Sequence, residues 1–158
     1  EKMDSGEIDT LLVVGENLVS LGINTEQITK ANLLFLGTQG NATSEAANVL
    51  LPGLTVFEKN GSFVNLNFRL QKFQQAVPGP AGLIPDIMLL GKLLSKLTGN
   101  DTPTNINSVW EELSSENPAL TGISFANIPT EGQELDGSAY TQLDFPETKS
   151  LKFELVIA

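Results

Sequence analysis

The sequence predicts an α/β fold: a partial doubly wound parallel sheet with a β-hairpin and carboxy-terminal helices. Three observations carry this. Three short apolar runs, at residues 11–14, 33–37 and 49–52, lack the apolar/polar alternation of half-exposed strands, and capped helical stretches separate them. Two strand-like runs flank an Asn-Gly dipeptide, and beyond Pro85 the apolar residues recur at helical spacing. The 158 residues are expected to form one domain, with β-α-β units and the hairpin in 1–75 and helices and a tail in 76–158.

The first run, LLVV at 11–14, stops at Gly15-Glu16-Asn17, where turn chemistry closes a buried strand. Residues 24–31 offer an Asn or Thr cap with an acid in the first turn, and a second apolar run ends at Gly37, giving a β-α-β unit. A short capped helical turn over 43–48 leads to a third run closed by Pro52. Such a sheet is expected to be covered on both faces, with any ligand beyond the carboxyl ends of its strands. That places Gly15-Glu16-Asn17 and Gly37-Thr38-Gln39-Gly40 where a cofactor would lie, unless both are ordinary β-α turns.

Residues 56–59 and 62–66 flank Asn60-Gly61, which accepts positive φ at both central positions of a type I′ turn, so a hairpin centred there is expected. Pro78-Gly79-Pro80-Ala81-Gly82 reads as a loop of fixed backbone. Pro85 suits the first position of a helix over 86–97 whose apolar face is Ile87, Leu90, Leu93, Leu94 and Leu97. A polar run at 100–107 precedes a second helix, for which Ser108 and Glu111 form a capping box, ending near Pro118. Trp110, the single tryptophan, is expected to anchor the core against the preceding helix. The stretch beyond Gly122 is loop-like until 151–157, which alternates as a strand that would pair with a sheet edge or a partner.

Composition narrows the chemistry. Nineteen acidic residues against nine basic give a net charge of -10, with no cluster of Lys or Arg to neutralise a phosphate backbone, so nucleic-acid binding is not expected. There is no Cys and no His, which removes the usual ligands of zinc, haem and iron–sulfur clusters and the usual nucleophile and base. No apolar run approaches the roughly 20 residues of a membrane span, no signal-peptide pattern opens the sequence, and the lack of cysteine points to the cytosol. No phosphate-loop, dinucleotide or nucleophile-elbow signature occurs. Glu45 and Glu58 are the acids best placed for a role beyond solvation, but no motif sets either beside a nucleophile.

The stretch TSEAANVLLPGLTVFEKNGSFVNLNFRLQ, 43–71, resembles a signature of the molybdopterin oxidoreductase superfamily. Ala47-Asn48-Val49-Leu50-Leu51-Pro52 is similar to its A-D-V-V-L-P strand, Glu58 to Asn65 to its E-K-x-G-T-F-T-N block, and Arg69-Leu70-Gln71 to its R-V-Q. The likeness runs from LLVVGEN to the segment ending at Ile128. The arrangement is similar to the carboxy-terminal part of the large iron–sulfur subunit of NADH-quinone oxidoreductase, the 75-kDa type subunit of respiratory complex I. Formate dehydrogenases share the same blocks.

This resemblance implies two readings. In the first, the protein is a non-catalytic structural part of the complex I subunit. Its iron–sulfur clusters would lie elsewhere in the parent polypeptide, its partners would be other subunits of the peripheral arm, and it would sit in the cytoplasm, peripheral to the inner membrane. In the second, it is a pterin-binding part of a formate dehydrogenase-like molybdenum oxidoreductase. Gly15, Glu16, Asn17, Gln39, Glu58 and Lys59 would then contact a molybdopterin guanine dinucleotide. The sequence departs from the pattern at Asn48, where Asp is usual, at Asn67-Phe68, where Glu-Gly is usual, and over 79–82 and Ile87, where a Gly-Glu-Ala-Arg loop and a Trp are usual. A bulky Phe68 in place of a glycine that lets backbone approach a ligand suits a disused pocket.

Overall fold

The computed structural model describes residues 2–138; the strand expected at 151–157 lies outside them. Three strands, β1 (Thr10–Val14), β2 (Asn32–Gly37) and β3 (Val49–Pro52), form a parallel sheet in the order β1-β2-β3. A second, antiparallel sheet contains β4 (Gly61–Val64), β5 (Arg69–Phe73) and β6 (Gln133–Glu134) in that order. Of the helices, α1 (Thr25–Ile28) and α2 (Ala42–Glu45) are single turns between the parallel strands. Two longer ones follow the hairpin, α3 (Asp86–Thr98) and α4 (Ile106–Glu116). The expected fold class is the one observed.

The crossovers of the parallel sheet are held by asparagine caps. In α1, Asn24 Oδ1 accepts the Gln27 N–H at 2.9 Å while Gln27 Oε1 accepts the Asn24 N–H. In α2, Asn41 Oδ1 accepts the N–H groups of Thr43 and Ser44, both at 3.0 Å. The cap of α2 therefore precedes the expected helical stretch, because an Asn side chain reaches the orphan amides two and three residues on. Asn48 does similar work at the mouth of β3: its Oδ1 accepts the Leu33 N–H at 2.7 Å and its own N–H donates to Leu33 O at 2.8 Å.

Val13, Ile28, Leu33 and Phe35 form a core with Leu11, Leu18, Val19, Ile23, Ala46 and Ala47, so both crossovers pack on the face carrying Leu11, Val13, Leu33 and Phe35. The other face carries Leu12 and Val14, which are exposed. Leu36, on the same face, is buried.

The hairpin is displaced from the Asn-Gly dipeptide. Val56–Glu58 is one turn of 3₁₀ helix rather than a strand, because Glu58 Oε2 accepts both the Thr55 N–H and the Thr55 hydroxyl at 2.8 Å. Gly61 is not among the positive-φ residues; a Cβ there would stand 2.3 Å from the Phe73 ring, so close packing and not turn geometry requires glycine. The reversal falls at Asn65-Leu66-Asn67-Phe68. There the Phe68 N–H donates to Asn65 O, the Asn65 N–H donates to Arg69 O, and Phe68 itself is left-handed at φ 56°. Three-residue hairpin loops take this form, with glycine usual at the left-handed position.

Helix α3 ends at left-handed Gly99, whose N–H donates to Ser95 O at 2.9 Å. Its expected apolar face is covered in part: Ile87, Leu90 and Leu93 are half-buried, Leu94 and Leu97 are 50% and 76% exposed, and the fully buried position is Gly91. A Cβ at Gly91 would stand 2.3 Å from Pro103 O, so the loop before α4 lies directly on the helix backbone. Helix α4 is capped by Asn105, whose Oδ1 accepts the Ser108 N–H at 3.0 Å, which puts Ser108 inside the helix rather than at its cap. Trp110 is a core residue as expected, but its cluster contains Leu70, Ile123, Phe125 and Ile128 and no residue of α3.

Candidate functional site

A cleft of about 330 Å³ opens at the carboxyl ends of β2 and β3, between Gly37-Thr38-Gln39-Gly40 on one side and Leu50, Leu51 and Pro52 on the other. Phe35 and Ser44 complete its walls. Glycine at 37 is dictated locally, since a Cβ there would stand 2.4 Å from the Phe35 ring. Gly37 O in turn accepts the Gly53 N–H at 2.8 Å, which fixes the segment leaving β3 against the loop leaving β2. Among the described residues, nothing accepts from the main-chain N–H groups of Thr38, Gln39 or Gly40. The turn beyond a parallel strand is where ligands of such sheets bind, and amides without a protein acceptor leave donors free for one.

Of the six candidate residues, Gln39 lines this cleft. Gly15, left-handed at φ 70°, donates its N–H to Leu36 O at 2.7 Å and ends β1 beside it. Glu16 turns back on its own segment, accepting the Asn17 N–H at 2.9 Å. Asn17 Oδ1 accepts the hydroxyl of the fully buried Thr43 at 3.1 Å, and Thr43 Oγ1 accepts the Leu18 N–H at 2.8 Å, so Asn17 ties the end of β1 to α2.

Glu58 and Lys59 stand elsewhere. Glu58 is engaged by Thr55, whose N–H and then hydroxyl hold its carboxyl below the usual glutamate range. Lys59 pairs with Asp86, both side chains about three-quarters covered. Asp86 Oδ1 also accepts the Leu54 N–H at 3.3 Å. Gly53 and Leu54 therefore link the two regions, one amide on Gly37 and the next on Asp86. Lys59 and Asp86 border a second cleft of about 310 Å³, walled by Phe63, Phe73, Ile87 and Trp110, in which Phe63 and Phe73 stack at 5.1 Å. Sequence reasoning missed Asp86, an acid in the first turn of a helix 27 residues from its partner, with no periodic signal joining them.

Glu45 is exposed. Phe68 does not line the strand-end cleft. Its ring lies over Gly137 at the far end of the hairpin, so its bulk says nothing about whether that cleft can be filled. Among the described residues, no group of His, Cys, Asp or Glu is placed to hold a metal ion, and no helix is long and apolar enough to cross a membrane.

The molybdopterin oxidoreductase family model matches residues 1–96, well over half of the chain. The chain belongs to the molybdopterin oxidoreductase family. Among its relatives is the F420-dependent formate dehydrogenase 2 subunit alpha of Methanococcus maripaludis, 28% identical over 134 residues, which is 80% of this chain and 20% of that protein. The F420-dependent formate dehydrogenase subunit alpha of Methanocaldococcus jannaschii is 28% identical over 137 residues, 82% of this chain and 20% of that protein. The F420-dependent formate dehydrogenase 1 subunit alpha of M. maripaludis is 31% identical over 93 residues, 57% of this chain and 14% of that protein. The chain thus spans about a fifth of the length of these molybdopterin-family relatives. They carry formate dehydrogenase names, and none of the three is a complex I subunit.

Proposed function

We propose that this chain forms part of the pterin-dinucleotide cradle of a formate dehydrogenase-like molybdenum oxidoreductase. The observation that carries the reading is the strand-end cleft, lined by the turn residues Gly37, Thr38, Gln39 and Gly40 and by apolar Leu50 and Pro52. The names of the relatives agree with it.

These residues suit the nucleotide end of such a cofactor. Amide donors meet phosphate oxygens, the Gln39 side chain offers a donor and an acceptor, and the apolar wall offers a surface for a base. At about 330 Å³ the cleft is at the small end of ligand sites and takes a portion of the dinucleotide. Gly15 and Glu16 would border that portion from the end of β1. Lys59 would act through Asp86 and Leu54 to hold the wall in place and would not touch the cofactor at this cleft. The bound group would supply the redox chemistry. This chain's residues bind and orient, and with no cysteine in the sequence any iron–sulfur cluster belongs to other parts of the parent.

The complex I reading, with its peripheral-arm partners, draws no support from the relatives. Metal and pterin analysis of the purified full-length gene product separates the two. Stoichiometric molybdenum or tungsten with an oxidisable pterin, and reduction of a viologen dye by formate, are expected. A folded product free of both metals and of pterin would return the chain to a scaffold role.

A further inference from the structure

Asn60-Gly61 is the sequence's one Asn-Gly pair, and the hairpin reversal does not use it. It lies instead at the open end of the β4–β5 ladder. The Asn65 N–H donates to Arg69 O, and bonded and non-bonded pairs alternate from there, so Phe63 and Gln71 are a bonded pair and Gly61 and Phe73 the next. The Gly61 N–H is thereby engaged by Phe73 O. One step further out, the Gln75 N–H donates to Asn60 Oδ1 at 2.8 Å, so the Asn60 side chain closes the ladder. Asn60 is exposed, and among the described residues nothing accepts from its Nδ2.

Asparagine is a thermolabile residue, and the group it reacts with is the main-chain nitrogen that follows it. That nitrogen, its proton lost to solvent base, bonds to the side-chain Cγ; the bond from Cγ to Nδ2 breaks, and Nδ2 takes a proton from water and leaves as ammonia. Water then opens the succinimide ring at either carbonyl, giving aspartate or isoaspartate. Glycine in the second position leaves the attacking nitrogen unhindered. In the closed ladder Gly61 N is held by Phe73, whose ring also lies where a Gly61 side chain would be, and it cannot turn towards Asn60 Cγ. Only the last bonded pair and the Gln75 contact have to open to release it, which is fraying of an element's end and not unfolding. We propose that Asn60 is a site of spontaneous deamidation in the folded protein, gated by fraying of the hairpin's open end. Asn60 borders the second cleft together with Lys59 and Asp86, so conversion adds a carboxylate to the border that carries their ion pair. This inference does not rest on the formate dehydrogenase reading.

The test incubates the full-length gene product at mildly alkaline pH, native and in urea. Peptide mass spectrometry follows aspartate and isoaspartate at every asparagine, and hydrogen exchange is read at the Gly61 amide. Both reactions need the same opening, so the factor by which folding slows deamidation at Asn60 is expected to match, within a few-fold, the factor by which it slows exchange at Gly61. In the native protein Asn60 should convert before any other asparagine of residues 2–138. Phe73→Ala, which removes the ring over Gly61, should raise both native rates several-fold and leave the rate in urea unchanged. Deamidation as fast in the native protein as in urea would overturn the proposal, because no gate then exists. So would suppression far beyond the exchange protection of Gly61, which marks a reaction that waits for global unfolding, or native rates unmoved by Phe73→Ala. If the variant fails to fold, the two rates of the unsubstituted protein still decide.

Discussion

The Phe68 ring occupies the space that a side chain on Gly137 would need: a Cβ there would stand 2.2 Å from Phe68 Cδ2. Phe68 reaches this position from a left-handed backbone, and the Leu135 N–H donates to Phe68 O at 2.9 Å, so the hairpin and the returning segment are fastened at one point. Non-glycine residues adopt left-handed φ at a cost of about 1–2 kcal/mol, which the packing on Gly137 offsets.

Gly137→Ala is therefore expected to destabilise the protein by about 1–3 kcal/mol, the range for overpacking. In a Phe68→Gly background the same change should cost much less, since the ring is gone and the left-handed strain with it. Urea denaturation of the four proteins of this cycle measures the coupling; equal costs in both backgrounds would show that the two residues do not depend on each other.

Asn48 stands where the family pattern has aspartate, and the structure shows why either residue serves. The group that matters is a carboxyl-type oxygen accepting the N–H of fully buried Leu33. Asn48→Asp is expected to leave stability within about 0.5 kcal/mol, as either side chain accepts equally well, whereas Asn48→Ala should cost about 1–3 kcal/mol by leaving that amide unpaired. Hydrogen exchange at Leu33 reads this directly, faster in the alanine variant and unchanged in the aspartate one.

How far the sequence can be read is clearest in the segment around Asn60. The parallel strands are legible because a non-alternating apolar run between turn residues has few other uses. Asn60-Gly61 matches a hairpin turn equally well on paper, but turn propensity is local, and two partners outside the dipeptide decide against it. Phe73 fills the space above Gly61, and Asn60 Oδ1 accepts the Gln75 N–H at 2.8 Å. The strand-end cleft can be anticipated from the Gly37-Thr38-Gln39-Gly40 turn, because position beyond a parallel strand is a topological property. The Lys59–Asp86 pair cannot, because only tertiary folding brings those residues together.

That pair should behave as a bracket for the wall of the cleft. Asp86→Ala removes the partner of a mostly covered Lys59 and the acceptor for the Leu54 N–H together, and a loss of about 1–3 kcal/mol is expected. Asp86→Asn keeps an acceptor for Leu54 and should lose less. Thermal unfolding of both variants ranks them; if alanine proves no worse than asparagine, the Leu54 bond carries no weight.

The Thr55–Glu58 contact that suppresses the expected hairpin strand also sets a pH dependence. Thr55 holds the Glu58 carboxyl below its ordinary range, first through its N–H and then through its hydroxyl. A carboxyl whose folded pKa is depressed adds stability that is fully present above the unfolded value, about 4.3, and is lost as pH falls through the lower folded value. Glu58→Gln removes the titration. The stability difference between wild type and Glu58→Gln should therefore be constant from neutral pH down to about 5 and shrink below about 4.3. Thr55→Val deletes the hydroxyl but keeps the N–H, and should retain part of the dependence. Urea midpoints measured at intervals on the order of one pH unit, from about pH 3 to about pH 7, would follow this course, and a difference that instead grew with acidification would show that Glu58 is not held by Thr55 in solution.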